Sequence, residues 1–224
     1  RRARFDDLTG ALKRDEVLAR LADVGSQRRR PGDECGVLFI DVDGLKEIND
    51  TLGHAAGDGV LTTLAARIRD CIRAGDIVAR MGGDEFVVIL EDLDAAGLAA
   101  MQAESIARKI QNQLNEPYLL DLSIPGEAAN MGSHHCTSST GIALFNDNSL
   151  GVDELMKRAD TAMYQAKAAG RNTLRFFDPD MQAAVNVRAA LEVDLRRAID
   201  ERQFILHIQP QLDAANRVIG GEAL

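Results

Sequence analysis

Two apolar runs constrain this chain more than any other feature: Val37-Leu38-Phe39-Ile40 and Phe86-Val87-Val88-Ile89-Leu90. The first is too short for a helix, is bounded by Gly36 and Asp41, and reads as a buried strand. The second follows Ile77-Val78-Ala79 and the pair Gly82-Gly83, so turn residues are flanked by β-formers and predict a hairpin. Between these runs the apolar spacing becomes helical. Residues 5–23 carry Leu12, Val17, Leu18 and Leu21, with Asp7 or Thr9 as the expected cap. Residues 58–72 carry Val60, Leu61, Leu64, Ala65 and Ile68. Residues 94–114 follow suit through Leu98, Met101, Ile106 and Ile110. Residues 152–169 line one side with Leu155, Met156, Ala159, Ala162, Met163 and Ala166, and Gly170 ends that helix. Residues 117–145 predict a strand pair around Pro125-Gly126 that ends in Ile142-Ala143-Leu144-Phe145, and Leu174–Phe177 predicts a closing strand. The order implies an α+β or α/β sandwich, a sheet covered by helices on one face.

The 224 residues carry 26 Lys+Arg against 35 Asp+Glu, a net charge of −9. That acidic balance argues against bulk nucleic-acid binding, yet it leaves room for a small anionic ligand held by a metal or a local cluster of cations. With 46% hydrophobic and 27% charged residues the chain has the balance of a folded domain. No apolar run is long enough to span a membrane, so no membrane contact is expected of this segment. The chain starts at Arg1 with no signal-peptide pattern, as a piece of a longer protein would. Cys35, Cys71 and Cys136 are odd in number and widely spaced, which predicts free thiols in a reducing, cytoplasmic compartment. The polar stretch 25–34, with Arg28-Arg29-Arg30-Pro31-Gly32, predicts a loop.

Two acidic clusters fall where strands end: Asp41-Val42-Asp43, and Asp84-Glu85 after Gly82-Gly83. Carboxylates at the edge of a core cost free energy unless paired. Two such clusters brought together by a sheet make an oxygen-rich site suited to Mg²⁺. The glycines permit a tight turn and a close ligand. Lys46 is placed to reach a terminal phosphate. Asn49 and Asp58 suit a purine edge, and a carboxylate accepting from a ring N–H and an amino group selects guanine over adenine. Lys167 and Arg171, four residues apart at a helix end, suit phosphate contact; their alternative is simple interaction with the helix dipole. His134-His135-Cys136 lies in a predicted strand, where neighbouring side chains point to opposite faces, and so predicts no metal site.

These residues stand in a longer pattern. It runs Asp7-Leu8-Thr9-Gly10, Asp41-Val42-Asp43-Gly44-Leu45-Lys46-Glu47-Ile48-Asn49-Asp50, Gly53-His54-Ala55-Ala56-Gly57-Asp58, and Arg80-Met81-Gly82-Gly83-Asp84-Glu85-Phe86. It ends with Arg158-Ala159-Asp160, Tyr164-Gln165-Ala166-Lys167 and Gly170-Arg171-Asn172. Over residues 5–177 the chain resembles the GGDEF family of diguanylate cyclases. The resemblance implies a palm-like, nucleotidyl-cyclase βααββαβ domain with a mostly antiparallel sheet. It implies condensation of two GTP into cyclic di-GMP with release of pyrophosphate, in a homodimer of facing domains. By position, Asp41 and Asp84, assisted by the Val42 carbonyl, would hold Mg²⁺ or Mn²⁺, and Glu85 would be a further metal-site or proton-accepting carboxylate. Lys46, Lys167, Arg171 and the backbone of Gly44 and Leu45 would hold phosphates beside Gly82 and Gly83. Asn49 and Asp58 would read guanine. Two departures, Leu45 for a usual Phe and Lys13 for a usual Asn, remove no ligand.

Arg73-Ala74-Gly75-Asp76 matches the family's inhibitory RxxD pattern, which implies product inhibition by cyclic di-GMP at Arg73 and Asp76. Residues 178–190 predict a linker, from the break at Asp178-Pro179-Asp180, and a polar helix spans 181–201. Beyond it, Leu195-Arg196-Arg197-Ala198, His207-Ile208-Gln209-Pro210-Gln211 and Gly221-Glu222-Ala223-Leu224 resemble the opening of an EAL phosphodiesterase domain. Residues 191–224 are thus the expected start of a barrel too incomplete to hydrolyse anything. Strands are expected at Phe204–Ile208 and from Val218. The alternative to an active cyclase is a catalytically silent module that binds GTP or cyclic di-GMP and regulates the EAL partner.

Overall fold

The strand that carries Asp41 is buried from Glu34 to Val42, and the sheet is built around it. The structure is a computed structural model that describes residues 4–26, 34–94, 98–121, 131–146 and 150–223. In chain order come β1 (Leu12–Lys13), α1 (Arg14–Ser26), β2 (Glu34–Asp43), α2 (Leu45–Leu52) and α3 (His54–Cys71). The hairpin β3 (Ile77–Gly82) and β4 (Glu85–Leu93) follows, then α4 (Leu98–Leu114), β5 (Tyr118–Asp121), β6 (Met131–His134), β7 (Thr137–Phe145), α5 (Val152–Ala168) and β8 (Leu174–Phe176). Six strands form one sheet in the order β1-β3-β4-β2-β7-β8. The three central pairings are antiparallel, and the two edge pairings, β1 with β3 and β7 with β8, are parallel. The architecture is therefore α+β with a mostly antiparallel sheet.

Helices cover both faces of this sheet, not one. Cys35, Val37 and Phe39 of β2 pack with Val17, Leu21 and Val24 of α1 and with Leu155, Met156, Ala159 and Met163 of α5. The alternating residues Leu38 and Ile40, also fully buried, point to the opposite face. There α4 packs against β2, β4 and β7, and α3 against β3 and α4. A strand buried on both faces needs a continuous apolar run in place of alternation. The approach of α5 is close: a Cβ built on Gly141 of β7 would lie 2.0 Å from the Ala159 carbonyl oxygen and 2.2 Å from the Met163 nitrogen.

Several expected boundaries move. The first helix starts at Arg14, because Leu12-Lys13 pairs with Ala79-Arg80 as a strand. Its expected cap is replaced by a turn in which Asp6 Oδ1 accepts the Thr9 N–H at 2.9 Å and the Thr9 hydroxyl at 2.6 Å. The polar segment after Asp43 forms α2, a helix the apolar spacing does not announce. Asp41 and Asp43 lie within β2 and not after it. The segment 117–145 gives a separate β5–β6 pair plus the long β7; Pro125-Gly126, like the arginine-rich loop at 28–32, lies outside the described residues. His134 ends β6, and His135 and Cys136 lie outside the strands.

The chain divides into two units, Arg1–Ala183 and Ala184–Leu224. The helix α6 (Pro179–Asp200) contains the boundary. In the second unit β9 (Ile208–Leu212) pairs antiparallel with β10 (Val218–Ala223). The expected strand at Phe204–Ile208 therefore begins only at its last residue. Phe204, Ile205 and Leu206 before it are exposed.

Candidate functional site

The acidic residues collect at one end of the sheet. Asp41 and Asp43 project from the same face of β2, two residues apart. Register pairs Asp41 with Glu85 of β4 on one side and with Ser139 of β7 on the other. The Gly83-Asp84 turn folds back on β2, where the Val42 N–H donates to the Asp84 carbonyl at 3.2 Å. Gly83 holds φ at +53°, which a glycine adopts at little cost. The turn is fastened from outside by Arg80. Its guanidinium donates to the Gly83 carbonyl at 2.7 and 3.1 Å and to Asp6 Oδ1 at 3.2 Å. Burial pushes the Asp6 carboxyl upward, but hydrogen bonds from Thr9 and Arg80 outweigh it and hold it below the usual carboxylate range.

Cations arrive from the last turn of α5 and from the turn just after it. Lys167 Nζ lies 2.7 Å from Asp41 Oδ1, and Arg171 Nε lies 3.9 Å from Asp43 Oδ1. The Asp41 carboxyl is pushed up to about 6 by burial, with Asp84 and Asp43 adding to the rise and Lys167 opposing it. Glu85 is raised by burial first, then by Asp84 and Asp160, while Lys167 and Arg14 oppose. A buried carboxylate with that strain on its charge favours any cation that reaches it. Among the described residues, no three His, Cys, Asp or Glu side chains form a ready-made metal cage. Two neighbouring carboxylates instead fit Mg²⁺, which takes few protein ligands and completes its shell with water and phosphate oxygens. The donor set is all oxygen, as that ion prefers.

The nucleotide-reading candidates stand on α2 and α3. Gly44, at φ +84°, turns the chain from β2 into α2, with nothing within 4 Å of where its Cβ would be. Leu45 is buried beneath the turn, and Lys46 is exposed on it. Asn49 stands across the α2–α3 packing from Gly57, the residue before Asp58. The Asn49 side chain lies against Gly57, whose built Cβ would sit 2.0 Å from Asn49 Oδ1. Asp58, the next residue, is exposed. Gly82 likewise faces open space. Arg73 and Asp76 lie apart from this cluster, at the α3–β3 junction. Asp76 accepts the Arg73 N–H at 2.9 Å and the Glu91 N–H at 3.2 Å, so it also ties that junction to β4. They border a cavity of about 400 Å³ with Arg69, Leu12, Ile77 and Val78.

The family model for the diguanylate cyclase GGDEF domain matches residues 3–173. The chain belongs to the GGDEF family. It is 38% identical over 99% of its length to the bifunctional diguanylate cyclase/cyclic di-GMP phosphodiesterase MucR of Pseudomonas aeruginosa, covering 30% of that protein. It is 35% identical over 96% of its length to the cyclic di-GMP phosphodiesterase NbdA of the same organism, covering 26% of it. The chain thus spans about a quarter to a third of these relatives. Among solved structures, the GGDEF domain of TpbB (YfiN) from P. aeruginosa aligns with a TM-score of 0.66 at 35% identity, over 81% of this chain and 99% of that one. The coiled coil and GGDEF domain of DgcB from Caulobacter crescentus, in complex with c-di-GMP, aligns at 0.65 and 26% identity, over 78% and 86%.

This GGDEF domain also contains site residues that sequence reasoning missed. Thr137 and Ser139 of β7 donate to the Asp43 carboxylate at 2.8 and 2.9 Å, and the Asn172 N–H donates to it at 3.2 Å. The signal was present as the polar run Thr137-Ser138-Ser139-Thr140 that opens β7, in which Thr137 and Ser139 fall on one face. Arg80 and Asp6, the two ends of the turn clamp, carried no such signal, since they are 74 residues apart in sequence. Among the described residues, no helix is long and apolar enough to cross a membrane.

Proposed function

We propose that this domain is a diguanylate cyclase that joins two GTP molecules into cyclic di-GMP and releases pyrophosphate. The observation that carries this reading is the pairing of Asp41, held at 2.7 Å by Lys167, with Asp84 and Glu85 at one strand end. Asp41, Asp84 and the Val42 carbonyl would hold Mg²⁺ or Mn²⁺, which would supply charge neutralisation at the phosphates. Asn49 and Asp58 orient guanine. Lys46, Lys167, Arg171 and the backbone N–H groups of Gly44 and Leu45 hold the triphosphate, with Gly82 and Gly83 leaving room for it. Lys167 exchanges its carboxylate partner for a phosphate when nucleotide arrives. Glu85 would be either a further ligand to the metal ion or the proton acceptor for the attacking 3′-hydroxyl. One domain holds one GTP, so two domains face each other, and each 3′-hydroxyl attacks the α-phosphate of the other nucleotide. Positioning and charge stabilisation supply most of the acceleration.

Arg73 and Asp76 are assigned to product inhibition, and residues 191–224 to the start of an EAL domain after a linker at 178–190. Soluble catalysis in the cytoplasm follows from this reading, whatever anchors the parent protein. A second reading, a silent GTP- or cyclic di-GMP-binding module that regulates an EAL phosphodiesterase, is favoured by relatives named for phosphodiesterase activity alone. The test is incubation with GTP and Mg²⁺ while following cyclic di-GMP and its linear product. Synthesis that slows as product accumulates, and that slows later in Arg73→Ala, is the expected result. GTP binding without synthesis overturns the cyclase and leaves the regulatory module.

A further inference from the structure

Asp41 and Asp43 share a face of β2, yet their surroundings differ. Asp41 meets a single cation, Lys167. Asp43 accepts from the Thr137 hydroxyl, the Ser139 hydroxyl and the Asn172 N–H, with Arg171 at 3.9 Å, and its side chain is only 6% exposed. Those donors engage both carboxylate oxygens, so Asp43 has little left to offer a metal. The segment it holds is strained. Arg171 and Asn172 are consecutive non-glycine residues with φ of +61° and +47°. Such a pair costs free energy and persists only where its surroundings fix it. Of the backbone N–H groups in this turn, that of Asn172 donates to the Asp43 carboxylate and ties the turn to it. The turn also closes α5, since the Arg171 N–H donates to the Ala166 carbonyl at 3.3 Å and the Gly170 N–H to the Lys167 carbonyl at 3.3 Å.

We propose that Asp43 is a positioning residue: it pins the left-handed turn at Arg171-Asn172 to β7 and so aims Arg171 and Lys167 at the site, while taking no part in holding metal. This rests on the proposed reading of Arg171 and Lys167 as phosphate contacts. Within Asp-x-Asp, the first carboxylate then serves the ligand and the second serves the fold of the clamp. Losing a charged hydrogen-bond anchor of this kind costs about tenfold in the equilibrium it supports.

The test compares wild type, Asp43→Ala, Asp43→Asn and Asp41→Ala in the whole 224-residue chain. Hydrogen exchange of the Asn172 amide is expected to quicken about tenfold in Asp43→Ala, with Met163 inside α5 unchanged; Asp43→Asn, which keeps an acceptor, recovers most of the protection. Calorimetry is expected to show GTP bound about tenfold more weakly by Asp43→Ala while GMP affinity stays within about twofold. The Mg²⁺ concentration that half-saturates GTP binding is expected to move for Asp41→Ala and not for Asp43→Ala. Unaltered exchange at Asn172, or a metal shift as large as that of Asp41→Ala, overturns the proposal. Should Asp43→Ala not fold, Thr137→Val with Ser139→Ala removes the β7 donors and must give the same pattern. Wild type that binds GTP but makes no product refutes the cyclase reading and leaves this one standing. Wild type that binds no GTP refutes the phosphate contacts, and the exchange result alone then decides whether Asp43 pins the turn.

Discussion

Gly141→Ala tests how the fold sets the site. The added methyl would lie 2.0 Å from the Ala159 carbonyl oxygen and 2.2 Å from the Met163 nitrogen. Ordinary contact begins near about 3.5 Å, so α5 must retreat from β7 by more than about 1 Å. The obstacles are helix backbone atoms, which no rotamer change can clear. Overpacking of this kind costs about 1–3 kcal/mol, and a backbone clash on both contacts places this case at about 3 kcal/mol. For a protein of this size that is a fall in Tm of about 6–12 °C. The same retreat carries Lys167 and Arg171 with it, and about 1 Å of misplacement is enough for a loss of about 100-fold in rate. Thermal unfolding by circular dichroism and GTP turnover well below Tm read the two effects separately. Gly59→Ala is the control: its methyl meets Leu120 at an ordinary 3.6 Å, inside α3, and is expected to stabilise by up to about 1 kcal/mol. Gly141→Ala within about 0.5 kcal/mol of wild type refutes the packing argument.

Gly57→Ala should leave Tm unchanged or raised, because only the flexible Asn49 side chain must move, but should weaken GTP binding about tenfold by displacing a guanine contact; equal affinity in calorimetry contradicts the placement of Asn49. The pH dependence of the metal-free domain should carry the signature of Asp41, whose carboxyl lies at about 6 when folded against 3.8 as the ordinary value. Between those values the folded chain keeps a proton that the unfolded chain has lost, so this group's contribution falls as pH rises through the window and is level above it. The Tm advantage of Asp41→Asn over wild type should therefore grow across that window and then stay constant; a flat difference refutes the raised carboxyl.

The strands at Val37–Ile40 and Phe86–Leu90 and the helices α3, α4 and α5 were legible because apolar residues recur at the right period. The meeting of Asp41 with Glu85 followed from placing acids at strand ends. The rest depended on forces that periodicity does not carry. The helix α2 has only Leu45 and Ile48 buried in eight residues, too few for a pattern, and is fixed by Gly44 and packing on α3. The first helix was overextended because Leu12 satisfies a helical spacing and a parallel strand pairing equally well. The second helical layer was legible in β2 but went unread: its even residues Leu38, Ile40 and Val42 are apolar like the odd ones, which is the pattern of a strand covered on both faces. The clamp on Asp43 joins residues about a hundred positions apart, where no local signal reaches.

The central claim is that Asp84 and its neighbours turn GTP into cyclic di-GMP. The most direct measurement follows pyrophosphate and cyclic di-GMP together, for wild type and Asp84→Ala, with GTP and Mg²⁺ supplied. The account predicts two pyrophosphates for each cyclic di-GMP in wild type. In Asp84→Ala it predicts a rate lower by about 100-fold or more, with Tm unchanged or raised, because losing this half-buried charge relieves its repulsion on Asp41 and Glu85. Cyclic di-GMP formed by Asp84→Ala at the wild-type rate, or a wild type that releases no pyrophosphate, would contradict it.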